Sequence, residues 1–231
     1  GHRVVGFDAE DPPHALGASH GRTRIIRTAY FEHPLYVPLA REAWGGWRAL
    51  EEERGVRLLE ETGALMLGSR GGRVIRGTLE SARTHGLPHE VLDGGALRAR
   101  FPALASGLVP GPDPDRGAGS GSHSGLAAGG DAGLTGVFEP RAGILQAEGA
   151  VEAALASAVA HGARVIKGTR VDAQALADGP ERRVVVAPGG WIGPWVAPWL
   201  QLEVERQVVF WFRREDGGEG KDGGKGGLPP V

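Results

Sequence analysis

At 231 residues the chain can hold one large domain or two small ones, and a hydrophobic content of 41% suffices for a core. A formal net charge of -2 sets up no long-range field, which argues against nucleic acid or an anionic membrane as a partner. The absence of cysteine excludes disulfides and thiolate metal sites.

In chain order, the apolar run Arg3-Val4-Val5-Gly6-Phe7-Asp8 reads as a strand closed by a carboxylate. Residues 12–22 read as a loop, punctuated by Pro12, Pro13, Gly17 and Gly21. Tyr36, Leu39, Ala40, Ala43, Trp44, Trp47 and Leu50 recur at helical spacing and predict an amphipathic helix over 36–53. Residues 58–67 are strand-like, split by Thr62-Gly63, and 74–85 form a helix stopped by Gly86. A short helix is expected over 96–100. The alanine-rich stretch 149–161 is a second long helix with Gly162 as its C-terminal cap.

Residues 163–166 and 182–187 resemble buried parallel strands, since neither alternates cleanly. Residues 204–213 alternate Val204, Arg206, Val208, Phe210 and Phe212 on one face, a strand pattern. Much of the chain's glycine, 40 residues in all, falls in 111–133 and 217–227. Those segments cannot bury enough apolar surface to offset their ordering entropy and are expected to be disordered.

No apolar run reaches the ~20 residues of a membrane helix, and Gly1-His2-Arg3 lacks the apolar core of a secretory signal. A cytoplasmic location is expected. His14, His33, His85 and His89 show no metal-ligand spacing, so no metal site is expected. Trp195, Trp199 and Trp211 read as core residues.

Ser19-His20-Gly21-Arg22-Thr23-Arg24-Ile25-Ile26-Arg27 gathers a histidine and three arginines behind the acid-tipped strand. Dinucleotide-binding folds place an acid at the end of their second strand, where it accepts hydrogen bonds from ribose hydroxyls. Taken alone, Asp8 reads as a solvated acid at a strand end and the basic run as a surface loop. In a helical turn Arg24 and Arg27 would share a face, and Arg27 could hold a carboxylate by two parallel N–H bonds.

Five segments in order carry a family resemblance. They are Asp8-Ala9-Glu10-Asp11-Pro12-Pro13-His14 with Gly17 and the basic run; Thr62-Gly63-Ala64-Leu65-Met66-Leu67-Gly68; Phe138-Glu139-Pro140 with Gly143-Ile144-Leu145; Ala187-Pro188-Gly189-Gly190-Trp191; and Arg206-Gln207-Val208-Val209. The chain resembles the FAD-dependent monomeric sarcosine oxidase and N-methyltryptophan oxidase family.

That resemblance implies an α/β fold, α+β overall. A Rossmann-like FAD-binding domain is interrupted by an antiparallel-sheet substrate domain, both incomplete. Residues 1–57 and 138–200 would be FAD-domain parts, and 58–137, with the insertion 111–133, a substrate-domain part. Residues 201–214 would re-enter the substrate domain, with a disordered tail over 215–231. Asp8 would bind the ribose, Val171 the adenine through its main chain, and Gly189 and Trp191 the flavin or its phosphates. Ser19, Thr23, His20 and Arg24 would also contact the cofactor, with His20 and Arg24 as catalytic groups that stabilise negative charge on the flavin. Arg27 would bind the substrate carboxylate.

The partners implied are an amino-acid substrate and oxygen, on a monomer. The expected reaction oxidises the C–N bond of a sarcosine-like amino acid to an imine and hydrogen peroxide.

The chain also departs from the family pattern. It begins at the second strand, after the family's Gly-x-Gly-x-x-Gly turn, and stops before its later lysines and flavin-linking cysteine. Residues 171–183 are too short for the family's hairpin, and Pro188 removes one N–H. FAD is therefore expected to be non-covalent at most, and the chain to be a fragment, unstable and inactive alone. The rival expectations are a non-catalytic remnant without FAD and an FAD-dependent dehydrogenase using another electron acceptor.

Overall fold

The computed structural model describes residues 2–102, 133–172, 183–192 and 204. The chain is mixed α/β, with parallel and antiparallel sheets, as the sequence implies. It divides into two compact units, one joining 1–22 to 147–231 and the other formed by 23–146.

In the first unit, strand β1 (Val5–Phe7) pairs in parallel with a strand that lies far along the chain, Arg164–Ile166. The pairing continues past the strand ends. Asp8 N–H donates to the Ile166 carbonyl (3.0 Å), and Thr169 N–H to the Asp8 carbonyl (2.9 Å). Gly168 N–H donates to the Glu10 carbonyl (3.1 Å), and Lys167 Nζ lies 2.6 Å from Asp11. The carboxyl ends of both strands thus share one edge. Ahead of the second strand runs the helix Ala147–Ala160, whose alanines carry the highest helix propensity. Gly162 (φ 91°) ends it in the left-handed conformation, as expected of a C-terminal glycine.

In the second unit, β2 (Thr23–Ile26) leads through a turn to helix α1 (Tyr36–Arg54). Then follow β3 (Leu59–Glu61), β4 (Ala64–Ser69), α2 (Arg73–Thr84), β5 (Glu90–Asp93) and α3 (Gly94–Arg100). Beyond the undescribed stretch come β6 (Leu134–Glu139) and β7 (Gly143–Gln146). In chain order the first unit's helix Ala147–Ala160 is α4 and its strand Arg164–Ile166 is β8.

Two antiparallel sheets result, ordered β2-β7-β3 and β4-β6-β5. Val37 and Trp44 on α1, Leu58, Leu59, Ile75, Ala82, Leu92, Leu97, Val137 and Ile144 fill the unit's core. Each of the buried Val, Leu and Ile side chains contributes roughly 1.5–3 kcal/mol on burial.

Several expectations need correction. The apolar stripe of α1 is rotated: Tyr36 and Leu39 are 50% and 62% exposed, while Val37 and Trp44 face inward. The valine-rich part of 182–187 that is described, 183–187, forms no strand, and Val185 is 90% exposed. β-Branched residues favour a strand only where a partner strand receives them, and none pairs here among the described residues. The segments 204–213 (beyond Val204), 215–231 and almost all of 111–133 lie outside the described residues. Among the described residues no helix is long and apolar enough to cross a membrane.

The junction from α1 to β3 is held by one carboxylate. Glu51 Oε1 accepts the backbone N–H groups of Leu58 (2.6 Å) and Leu59 (2.8 Å), and Oε2 accepts from Arg48 Nη1 (2.8 Å). Burial pushes Glu51 upward, but the Leu59 N–H, Arg48 and the Leu58 N–H outweigh it and hold the group below the ordinary carboxylate value. A lowered native value stabilises the fold above the unfolded value of ~4.3, and that contribution fades as pH falls through the native value. Glu51→Ala is expected to cost about 2 kcal/mol at neutral pH in urea unfolding. The difference from the parent should shrink in acid, below the ordinary carboxylate range.

Candidate functional site

In the first unit Asp8 stands at the carboxyl end of β1, where the two parallel strands finish side by side. Open α/β sheets bind ligands at such edges. Glu10 N–H donates to Asp8 Oδ1 (2.9 Å), and His14 Nε2 lies 3.4 Å from the same oxygen. Leu16 N–H donates to His14 Nδ1 (3.3 Å), so the neutral ring carries its proton on Nε2, toward Asp8. Both contacts fall on Oδ1 and leave Oδ2 for a ligand hydroxyl. Val171 follows Thr169 on the same edge and is half-buried.

Ser19 and His20 are exposed on the loop behind β1. That loop is tied down beyond its tip. Gly21 N–H donates to Glu148 Oε1 (3.0 Å) in the first turn of α4, and Ala147 N–H donates to the Arg22 carbonyl (3.1 Å). Gly21 has φ 102°, which a side chain would strain. His20 Nδ1 lies 3.3 Å from the same Glu148 oxygen. Gly189 and Trp191 lie in a one-turn 3-10 helix, and Trp191 is 59% exposed.

The second unit holds Thr23, Arg24 and Arg27. These residues belong to a strand and the turn after it, so the helical face expected for Arg24 and Arg27 does not exist. Arg24 and Arg27 nevertheless line one cleft of about 180 Å³, with Tyr30 and Trp47 among its walls. Thr23 is buried, and Arg24 Nη1 donates to the Thr23 carbonyl (2.7 Å).

Arg27 sits between aromatic rings, its guanidinium carbon 4.5 Å from the Tyr30 centroid and 5.0 Å from that of Phe31. Nη2 donates to both oxygens of Glu32 (3.0 and 3.2 Å). Nη1 is buried without a hydrogen-bond partner. A buried donor left unmatched costs about 1–3 kcal/mol, so such a group in a cleft invites an acceptor.

The turn after Arg27 is fixed by Glu139 at the end of β6, which is 2% exposed. Its Oε1 accepts from Thr28 N (2.9 Å) and from Thr28 Oγ1, and its Oε2 from Ala29 N (3.0 Å). Ser81 Oγ donates to the Tyr30 carbonyl from α2.

Sequence reasoning assigned no role to Glu139, Glu148, Glu32 or Tyr30. Glu139 was visible only as the middle of Phe138-Glu139-Pro140. The one local signal for Glu148 was an acid in the first turn of a helix, which the helix dipole favours anyway.

Comparison with known proteins places these features in context. A family model described as FAD dependent oxidoreductase matches residues 1–224. The chain is 30% identical over 230 residues to a monomeric sarcosine oxidase of Streptomyces avermitilis, covering 94% of this chain and 53% of that protein. It is 28% identical over 226 residues to an N-methyl-L-tryptophan oxidase of Yersinia pestis, covering 93% and 54%. It thus spans about half the length of the curated relatives it matches.

Among solved structures, a variant of NikD, an unusual amino acid oxidase essential for nikkomycin biosynthesis, aligns at TM-score 0.53 and 25% identity. The alignment covers 73% of this chain and 37% of that one. A glycine oxidase from Geobacillus kaustophilus aligns at TM-score 0.52 and 20% identity, covering 74% and 41%, a likeness of fold.

Glu139→Gln puts an amide donor against the N–H groups of Thr28 or Ala29. It is expected to cost about 2 kcal/mol and to lower the thermal midpoint by about 5 °C, measured by circular dichroism.

Proposed function

The chain belongs to the FAD dependent oxidoreductase family, and we propose that it carries residues for oxidising the C–N bond of an N-methyl or secondary amino acid, sarcosine-like, to an imine and hydrogen peroxide. The observation that carries this reading is the buried, unmatched Nη1 of Arg27 in an aromatic-walled cleft. Glu32 takes Nη2, which leaves Nη1 as the donor for a ligand carboxylate. The names of the relatives, sarcosine oxidase and N-methyl-L-tryptophan oxidase, support an N-methylated amino acid as the carboxylate's owner.

The residues present fit a flavin dinucleotide. Asp8 offers an open carboxylate oxygen to a ribose hydroxyl, and the main chain at Val171 lies on the same edge for the adenine. Ser19 and Thr23 are cofactor contacts in this reading, and the Gly189–Trp191 turn exposes backbone and an indole to the flavin or its phosphates. His20 and Arg24 supply positive charge and N–H donors beside the ring. These 231 residues hold no cysteine, so any FAD they bind would be non-covalent within them. A flavin held by these residues would supply the acceptor for the hydride equivalent of the C–N bond, with oxygen as the final electron acceptor. The chain's own part is binding and orientation: Arg27 fixes the carboxylate in the cleft that Tyr30 and Trp47 help to wall.

Two measurements test this. The purified chain mixed with FAD and desalted should retain flavin bands shifted from those of free FAD; a colourless protein contradicts the flavin site. Arg27→Lys should weaken N-methylglycine binding, read from the bound-flavin spectrum, by about tenfold or more, roughly 1.4 kcal/mol. FAD retention should be unchanged, and equal affinity for the amino acid would remove the carboxylate role.

A further inference from the structure

We infer that Tyr30 is a positioning residue for Arg27: its ring holds the guanidinium in one plane and so fixes the donor that Glu32 leaves over. The inference rests on the reading above, in which that donor takes a ligand carboxylate.

Glu32 cannot fix the guanidinium alone. Both of its bonds, 3.0 and 3.2 Å, end on Nη2, so the group is gripped at a single nitrogen and can turn about it. The Glu32 side chain is 38% exposed, and ion pairs with an exposed partner are weak. The rings supply the second hold. The Arg27 guanidinium carbon lies 4.5 Å from the Tyr30 centroid and 5.0 Å from that of Phe31, both inside the ~6 Å reach of a cation–π contact. The Arg27 side chain is 14% exposed, which strengthens such a contact because little water competes. Tyr30 is the nearer ring. Phe31 is shared with Arg73, whose guanidinium carbon lies 5.8 Å from its centroid.

Tyr30 is itself held from two helices. Tyr36, the first residue of α1, packs on it with ring centroids 5.6 Å apart and planes tilted by 33°, a separation at which aromatic pairs attract. From α2, Ser81 Oγ donates to the Tyr30 carbonyl. One turn earlier on the same helix, Gly77 lets the backbone pass close, since a Cβ there would run into the Phe31 carbonyl. Tyr30 N–H donates to the Thr28 carbonyl (2.9 Å), and Glu139 accepts from Thr28 and Ala29. Each residue from 28 to 31 thus meets another element through its backbone. The ring cannot leave the guanidinium without moving the whole turn.

An aliphatic side chain at position 30 would leave the Glu32 ion pair in place and free the guanidinium to swing. The loss should therefore fall on carboxylate binding and spare the flavin. The Tyr30 hydroxyl has no part in it.

The test uses the full chain. A guanidinium over an aromatic ring has its side-chain proton resonances moved upfield by the ring current. The parent should show this for Arg27, assigned by the resonances lost in Arg27→Lys. Tyr30→Leu should return them toward ordinary arginine values, and Tyr30→Phe should keep them upfield. Unshifted Arg27 resonances in the parent, or a shift that survives Tyr30→Leu in full, overturns the inference.

The same proteins, loaded with FAD, are titrated with N-methylglycine and followed by the flavin spectrum. Tyr30→Leu should bind it about tenfold more weakly with FAD retention unchanged, and Tyr30→Phe should restore affinity to within about threefold of the parent. Equal affinity in Tyr30→Leu, or the same loss in Tyr30→Phe, overturns the inference. If Tyr30→Leu fails to fold, the parent resonances and the Tyr30→Phe affinity still decide. A parent with upfield Arg27 resonances that binds no FAD or no N-methylglycine supports Tyr30 as the hold on Arg27 and counts against the proposed function instead.

Discussion

Glu139 puts a carboxylate at the end of β6 into the interior of the second unit, 2% exposed, and meets it with three donors from one turn: the Thr28 N–H, the Thr28 hydroxyl and the Ala29 N–H. An unpaired buried charge is costly, and one that accepts several hydrogen bonds offsets much of that cost. The bonds span 111 residues of sequence and fasten the chain beyond β2 to the central strand of the other sheet. Arg27 immediately precedes that turn, so its guanidinium is held against Tyr30 and Phe31 rather than left to sweep solvent. Nη1 of that guanidinium is buried without a hydrogen-bond partner.

The same device recurs. Glu51 accepts the N–H groups of Leu58 and Leu59, and Glu148 that of Gly21. In each case an ionised side chain takes backbone donors that no sheet ladder or helix would satisfy, and charge-assisted bonds of this kind are stronger than neutral ones. Two of the three turns carry candidate site residues, Arg27 behind β2 and His20 behind β1. Glutamates thus tie down the backbone of the turns next to Arg27 and His20.

The regular elements were legible because they obey local rules. The helical period gave α1 and α2, the Thr62-Gly63 break separated β3 from β4, and Gly162 ended α4. β2 was hidden because arginine at Arg24 and Arg27 dilutes the apolar signal, and helical spacing between them was read where a strand and turn exist. The valines of 183–187 look like a strand but lack a partner among the described residues, and no local pattern can supply one. Asp8, His20 and Arg27 were nameable from motif order. Glu139 and Glu148 were not given roles, since their contacts reach back 111 and 127 residues and leave no mark at the spacing of helix or strand.

Native-state hydrogen exchange on the Thr28 and Ala29 amides tests the central claim most directly. If the buried carboxylate of Glu139 holds the turn behind Arg27, both amides exchange as slowly as the amide of Val137 in the core of β6. Exchange as fast as the amide of the exposed Ala15 would show a turn that opens freely, and would contradict the account.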